Sequence, residues 1–504
     1  MALSHSNGVL TFRQLLPQGK LFAPHEKSRS ESDPRVTTCS DTILHVEPGD
    51  VFFACVDGEG DGHDQLERAV EQGAIALVTE RLVVSNVPVM VVDDCREAFA
   101  QACHELLGEP SNSLTTTAVA GTDGKTTVAA LIEAVLVEAG NNVTSRTSLG
   151  ITAPAGYAQR QTTASAAELA AWLAKAVRWG VQDAILELDS REIAAKHNAG
   201  ARFDHVVITG TGIAHLDLHR TSANYQKTLW GLTEQLKPNG VVIANYDDPV
   251  LRSRLRELQV PALTYSMKDS SADIYATLLE RHRSEQTFTL EAGYRIATVR
   301  TKIIGDAHIR NCLAAAAVGM LRGLDLTQIA AGLERIERLS GRMERVECGQ
   351  PFGVFVEQHA TPTRLAAALA ALRSVTGGRL WCIYGPEATD DDCRLAATGR
   401  VIELFADRCV LTGPGYKTRG TWPLVHDVMD GMKRPGAART IPTRERAVRW
   451  VLDEAEPEDT ILLVGAAAKT CPIESCGQYD DRVLVEQHLR YVPDEHPTIL
   501  PFPT

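Results

Sequence analysis

The stretch Thr115-Thr-Thr-Ala-Val-Ala-Gly-Thr-Asp-Gly-Lys-Thr-Thr127 decides how the chain is read. An apolar, β-branched run ends at Ala120, a glycine-rich turn follows, and Lys125 opens a segment with helical spacing. Strand, tight turn and helix start together make a phosphate cradle. Glycines let the backbone approach an anion closely, and the N–H groups of the first helical turn point at it. Gly121, Thr122, Asp123, Gly124, Lys125, Thr126 and Thr127 are therefore the candidate nucleotide-binding residues. Lys125 would neutralise terminal phosphate charge, and the Thr126 hydroxyl would ligate Mg²⁺. A glycine-rich turn with a helix cap is the bland alternative. The common phosphate-loop spacing asks for glycine at position 119, where this chain has Val119.

Outward from this loop, strand and helix patterns alternate. The spacing predicts a helix over Thr126–Ala139, stopped by Gly140. Strands are expected at Ala184–Leu188, His205–Thr209 and Val241–Asn245. The run from Thr264 to Val299 alternates as antiparallel β does, and Asn311–Leu321 and Leu326–Ile336 read as helices. Upstream, Asp50–Cys55, Ala74–Thr79 and Val87–Val92 read as strands, Gln65–Gly73 and Arg96–Leu107 as helices. The breakers Gly108-Glu-Pro-Ser-Asn-Ser113 then mark a boundary. Downstream, Val354–Val356, Leu380–Tyr384, Cys409–Leu411 and Thr460–Val464 are further strands. This alternation predicts an α/β chain of parallel sheets covered by helices. Three domains are expected, at residues 1–113, 114–341 and 342–504, with a proline-rich, poorly ordered tail from Val492.

The composition is that of a globular chain, 44% hydrophobic and 23% charged over 504 residues. A formal charge of −13 argues against broad capture of nucleic acid or anionic membrane. It leaves room for a small basic pocket. No apolar run reaches the roughly 18 residues of a membrane span, and no secretory signal is visible at Met1–Arg13. The eleven cysteines are dispersed and odd in number, which fits buried free thiols in a reducing compartment. Cys471 and Cys476 lack the companions a zinc site needs.

The shortened loop Gly121-Thr-Asp-Gly-Lys-Thr-Thr127 resembles that of the Mur ligases, which join amino acids to peptidoglycan precursors using ATP. The likeness runs from Pro48 to Leu489. It is carried by Pro48-Gly-Asp-Val-Phe-Phe-Ala54, Asn245-Tyr-Asp-Asp-Pro249, Gly305 with Asn311, Gly341-Arg-Met-Glu-Arg-Val346 and Tyr479-Asp-Asp-Arg482. Within the family the pattern is nearest the tripeptide synthetase type. The resemblance implies an N-terminal domain for a UDP-MurNAc-peptide, a central phosphate-loop ATPase and a Rossmann-like C-terminal ligase domain. It implies ATP and Mg²⁺ as cofactors, an amino acid as second substrate, and a cytoplasmic monomer. Catalysis then falls to Lys125, Glu187 and His215, with the metal on Thr126, Glu187 and His215. Asn311 and Arg342 join the loop in holding nucleotide, and Thr162, Thr163, Asp189 and Ser190 hold the UDP-linked substrate.

The departures fall on the same motifs. Ala214 stands where the family has the aspartate before its histidine. Leu229 stands four residues after Tyr225, where the family carries a carbamylated lysine, and Lys227 is two residues early. The uridine-contacting D-S-R reads Thr42-Ile-Leu44, and the E-V-S-S-H segment reads Glu187-Leu-Asp-Ser-Arg191. In the last domain D-Y-A-H-T-P reads Glu357–Pro362, the G-G-D-R-D loop reads Glu387–Ala396, D-N-P-R reads Pro414-Gly-Tyr-Lys417 and G-K-G-H-E reads Ala466–Thr470. A lysine does not replace the bidentate grip of arginine on a carboxylate. Asp390–Asp392 reads as a solvated loop, or as an attractor of a cationic amine. Three functions stay open at this point: an amide ligase, a degenerate paralogue that binds nucleotide or a UDP-linked precursor without ligating, or a ligase of altered amine substrate.

Overall fold

A computed structural model of the chain describes residues 10–23, 33–56, 58, 60–153, 157–159, 165–212, 214–358, 361–386, 392–413, 421–465 and 480–490. By packing it falls into two compact units. The first holds Met1–Tyr275, Ala292–Arg295 and Asn311–Gly332; the second holds Ala276–Glu291, Ile296–Arg310 and Leu333–Thr504.

The first unit begins with a small sheet. Its strands are β1 (Lys20–Phe22), β2 (Cys39–Ser40), β3 (Val51–Phe53), β4 (Ala76–Thr79) and β5 (Val89–Val91), in the order β1-β5-β4-β3-β2. Only β1 runs antiparallel to its neighbour. Helix α1 (Cys95–Leu106) is capped by Asp94, whose carboxylate accepts from the Arg96 and Glu97 N–H groups. Its buried side puts Ala98, Phe99, Ala102 and Leu106 in one apolar cluster with Val51, Phe53, Ala76, Val78 and Met90.

The larger sheet of this unit is built by crossovers. Its parallel strands are β6 (Thr115–Ala120), β7 (Val143–Thr147), β8 (Asp183–Glu187), β9 (Phe203–Ile208), β10 (Leu236–Asn245) and β11 (Ala262–Ser266), in the order β7-β8-β6-β9-β10-β11. Helices α2 (Lys125–Glu138) and α3 (Ala166–Arg178) supply the first two crossovers. Val128, Leu131, Ile132, Val135 and Leu136 of α2 are all buried, so this helix is held by packing. Each such side chain contributes about 1.5–3 kcal/mol by leaving water. Strand order reverses around β6, and ligands of open α/β sheets bind at the carboxyl ends of strands flanking that reversal.

The strand expected from Val241 begins at Leu236 instead. Its register with β9 shifts between Phe203↔Leu236 and His205↔Val241, and Lys237 Nζ sits 2.8 Å from Asp204 Oδ2. That ion pair and irregularity carry the strand through polar residues that the apolar pattern does not flag. Val119 also finds its explanation here: it is an interior strand residue paired with Glu187, so the strand runs into the turn where a longer loop would already have begun. The alternating run after Thr264 forms consecutive strands Ile274–Arg281, Gln286–Ala292 and Arg295–Thr301.

The second unit carries a six-stranded sheet. Strands β12 (Glu344–Arg345), β13 (Gly353–Glu357), β14 (Leu380–Gly385), β15 (Arg408–Thr412), β16 (Ala438–Ile441) and β17 (Thr460–Gly465) lie in the order β12-β13-β17-β14-β15-β16. All but β12 are parallel to their neighbours. Two apolar clusters, one around Leu369, Leu462 and Val428 and one around Val448, Val451 and Leu463, make up its core. The closing motif has a mechanical role within this unit. Asp481, 1% exposed in its side chain, grips Arg444 through Nε at 3.1 Å and Nη2 at 2.6 Å, while Arg482 pairs with Glu344 at 2.5 Å.

Removing one member of a buried pair strands the other charge. Asp481→Ala is therefore expected to lower the stability of the second unit by about 3–5 kcal/mol. Calorimetric or urea unfolding of the full chain checks this; a shift below about 1 kcal/mol would show that the pair carries little.

Candidate functional site

The loop between β6 and α2 is shaped by close approach. Gly121 has φ +135°, and a Cβ there would lie 2.2 Å from Thr209 Oγ1. Gly124 has φ +88°, and its Cβ would lie 2.5 Å from Asn311 Oδ1. Both positions thus need glycine for backbone and for space. Thr209, the residue after β9, fastens the turn by donating to the carbonyls of Ala120 (3.3 Å) and Asp123 (2.5 Å). Thr122 N–H donates to the Gly210 carbonyl at 3.0 Å, and Tyr225 Oη donates to Thr122 Oγ1 at 3.0 Å. Burial pushes the Tyr225 phenol up, so it stays a donor. Gly124 caps α2, so the N–H groups of the first helical turn face the loop without carbonyl partners of the helix.

Lys125 Nζ folds over the turn, 2.9 Å from the Gly121 carbonyl and 3.4 Å from that of Thr122. The buried Thr126 hydroxyl donates to Glu187 Oε1 at 2.8 Å and lies 2.9 Å from Ser148 Oγ. Ser148 N–H donates to Glu187 Oε2 at 2.8 Å. Glu187 ends β8 directly beside β6, which puts its carboxylate next to the loop. Three oxygens thus converge within hydrogen-bond reach. All are hard donors, the kind Mg²⁺ takes, so Thr126 and Glu187 fit the metal. Among the described residues no group of three or more His, Cys, Asp or Glu side chains gathers as a metal cluster.

Asp189 connects this corner to His215. Its Oδ2 is 4.0 Å from Lys125 Nζ and 3.6 Å from His215 Nε2. Burial pushes the Asp189 carboxyl up. The nearby His215 imidazole, the Lys125 charge and the Arg191 N–H outweigh it and hold the group well below the usual carboxylate range. Asp189 also caps the short helix α4 (Ser190–Ala194) in a reciprocal box with Glu192. His215 sits in the left-handed region, φ 51°, at the start of a one-turn helix Leu216–His219. Ser190 is buried, 3.0 Å from His219 Nε2, and His219 stacks edge-on against Tyr225 at 5.3 Å.

The expected residues therefore divide. Gly121, Thr122, Gly124, Lys125, Thr126, Glu187 and Asn311 come together, with Asp123 and the buried Thr127 on the same loop and Asp189 with His215 alongside. Thr162 and Thr163 lie outside the described residues, as do Glu387–Asp391, Pro414–Lys417 and Ala466–Thr470. Arg342, in the second unit, is buried and donates to the Gly341 carbonyl at 3.1 Å. Glu357 is buried there too, 2.6 Å from Arg364. On a helix α5 (Ser222–Trp230), Leu229 is 1% exposed in the apolar core and Lys227 is exposed, so neither stands at the loop. Ser148 and Thr211 carry no signal in the sequence, whereas Tyr225, Asp248 and Thr209 stand there in a motif or at a strand end without the contacts the fold gives them, Thr211 N–H donating to Asp248 Oδ2 at 2.7 Å.

The depressed Asp189 carboxyl gives a signed pH dependence. Its contribution to stability is present above the unfolded carboxylate pKa, about 4, and is lost as pH falls through the folded value. Asp189→Asn is expected to melt below the parent at pH 7, with the gap closing below pH of about 4. A pH-independent difference in melting temperature would contradict this.

The middle domain of the Mur ligases matches residues 119–319, and the glutamate ligase domain of the Mur ligases matches 341–467. The UDP-N-acetylmuramoyl-L-alanyl-D-glutamate–2,6-diaminopimelate ligase of Geobacillus thermodenitrificans is 31% identical over 467 residues, covering 90% of this chain and 94% of that protein. The UDP-N-acetylmuramyl-tripeptide synthetase of Deinococcus radiodurans is 30% identical over 456 residues, covering 88% and 92%. A solved UDP-N-acetylmuramoyl-L-alanyl-D-glutamate–2,6-diaminopimelate ligase shares the fold with a TM-score of 0.69 at 21% identity, over 96% of this chain and 99% of its own. The ADP complex of MurF from Thermotoga maritima does so at 0.62 and 18%, over 90% and 98%. With a phosphate loop of the right shape and this extent of likeness, the chain belongs to the Mur ligase family.

Proposed function

We propose that the chain is an ATP-dependent, ADP-forming amide ligase that adds an amino acid to a UDP-MurNAc-peptide in peptidoglycan synthesis. Its three domains are residues 1–113 for the UDP-linked precursor, 114–341 for ATP and 342–504 for the incoming amine. The supporting observation is the convergence of Thr126, Ser148 and Glu187 beside Lys125 on a loop that only glycine can close. Relatives over nine-tenths of the chain carry names of this activity. An ATP-driven ligase of this kind works in the cytoplasm, and no described helix is long and apolar enough to cross a membrane.

The reaction joins two poor partners, a carboxylate and an amine, by first placing phosphate on the carboxylate. Two anions must then meet, which requires fixed positive charge. The helix start and Lys125 supply it from the protein, and Asp189 keeps the ammonium over the turn. Thr126 and Glu187 would hold Mg²⁺, which supplies charge neutralisation on the phosphates. His215 is a positioning residue in this scheme, acting through Asp189. Asn311 completes the nucleotide contacts within the first unit. Thr162, Thr163, Asp189 and Ser190 complete those of the UDP-linked substrate, Ser190 through its buried link to His219.

Incubation with ATP, Mg²⁺, UDP-MurNAc-dipeptide and pooled amino acids is expected to give ADP and a product heavier by one amino-acid residue. Lys125→Ala should reduce turnover about 10²–10³-fold, the usual effect of removing a group that stabilises transition-state charge. Glu187→Gln should raise the Mg²⁺ needed for half-maximal rate by about tenfold or more. Tight ATP binding with no product under any amine would contradict ligation.

A further inference from the structure

Four thiols of the first unit gather in one apolar cluster under its small sheet: Cys39, Cys55, Cys95 and Cys103. They lie outside the nucleotide corner, and the ligase chemistry uses none of them. Two are in direct contact. Cys39 Sγ on β2 and Cys103 Sγ on α1 are 3.9 Å apart, across 64 residues of chain. Cys39 is partly exposed and Cys103 is 5% exposed. The contact with Cys39, together with burial, keeps the Cys103 thiol protonated. Burial likewise pushes up the thiols of Cys55 and Cys95. The pair therefore joins one partly exposed cysteine to one buried cysteine.

We propose that Cys39 and Cys103 form a reversible dithiol–disulfide site that a hydroperoxide oxidises. The Cys39 sulfur attacks the peroxide oxygen, the S–H and O–O bonds break, the thiol proton passes to the departing oxygen, and Cys39 becomes a sulfenic acid as the alcohol or water leaves. The Cys103 thiol then attacks that sulfur. The S–S bond forms, the S–O bond breaks, and the Cys103 proton departs with the hydroxyl as water. Two thiols lose two electrons to the peroxide. The sulfurs must close by about 2 Å to reach bonding distance. The bond would staple the edge strand β2 to α1. Helix α1 and the residue after β2 also wall a cavity of about 360 Å³ through Arg96, Phe99 and Asp41, with Cys55 lining the same space.

A disulfide closing a loop of this length restricts the unfolded chain, so the oxidised form should be the more heat-stable. Reduced full-length protein is treated with hydrogen peroxide, its remaining thiols are alkylated, and it is digested for mass spectrometry. The expected result is a Cys39–Cys103 linked peptide that dithiothreitol removes, with a melting temperature raised by several degrees. In Cys103→Ser the link should be absent, and dimedone should label Cys39. Full alkylation of Cys39 and Cys103 after peroxide, a link formed instead through Cys55 or Cys95, or a link that lowers the melting temperature would each overturn the proposal.

Discussion

The close approach of the loop after β6 to Thr209 and Asn311 is the constraint on which the site depends. A side chain at Gly121 or Gly124 would collide at 2.2 or 2.5 Å, so the turn can be this tight only with glycine there. Once closed, the turn starts α2 with its N–H groups and Lys125 aimed the same way. Thr209 and Tyr225 hold it from β9 and α5, elements whose other side chains form the core. Packing far from the loop thereby fixes the positions of charges at it. The sheet order puts Glu187 beside the loop.

Charge at this corner is balanced locally, which explains how a chain of net charge −13 can serve anionic ligands. Lys125 and the helix start are the positive elements, and Glu187 and Asp189 are the negative ones. Asp189 stays ionised because His215, Lys125 and a backbone N–H all favour its charge over the cost of burial. With Leu229 in the core and Lys227 exposed, this corner holds the carboxylates of Glu187, Asp189 and the loop's own Asp123, with His215 as the neighbouring imidazole.

Much of this was legible beforehand because it follows from local rules. Parallel strands between helices and the glycine turn come from short-range pattern plus the alternation of elements; the Thr126–Glu187 relation, across 61 residues, came only through the family resemblance. What escaped depends on residues far apart in sequence. Ser148 reaches Glu187 across 39 residues, Tyr225 reaches Thr122 across 103, and Thr209 reaches Asp123 across 86. No periodicity encodes such meetings. Strand β10 started five residues early for the same reason, since the Lys237–Asp204 pair that extends it joins distant segments. The second unit shows the complementary case: Asp481 and Arg482, legible only as part of a motif, prove to be ion pairs that tie the last helix down.

The central claim is that the loop and Glu187 serve to place phosphate on a substrate carboxylate. UDP-MurNAc-dipeptide labelled with oxygen-18 in its acceptor carboxylate tests it most directly. During turnover with ATP and amine, each phosphate released should carry one labelled oxygen, because the carboxylate oxygen leaves with the phosphoryl group. Phosphate free of label would mean that water, not the carboxylate, takes the phosphoryl group, and the account would be wrong.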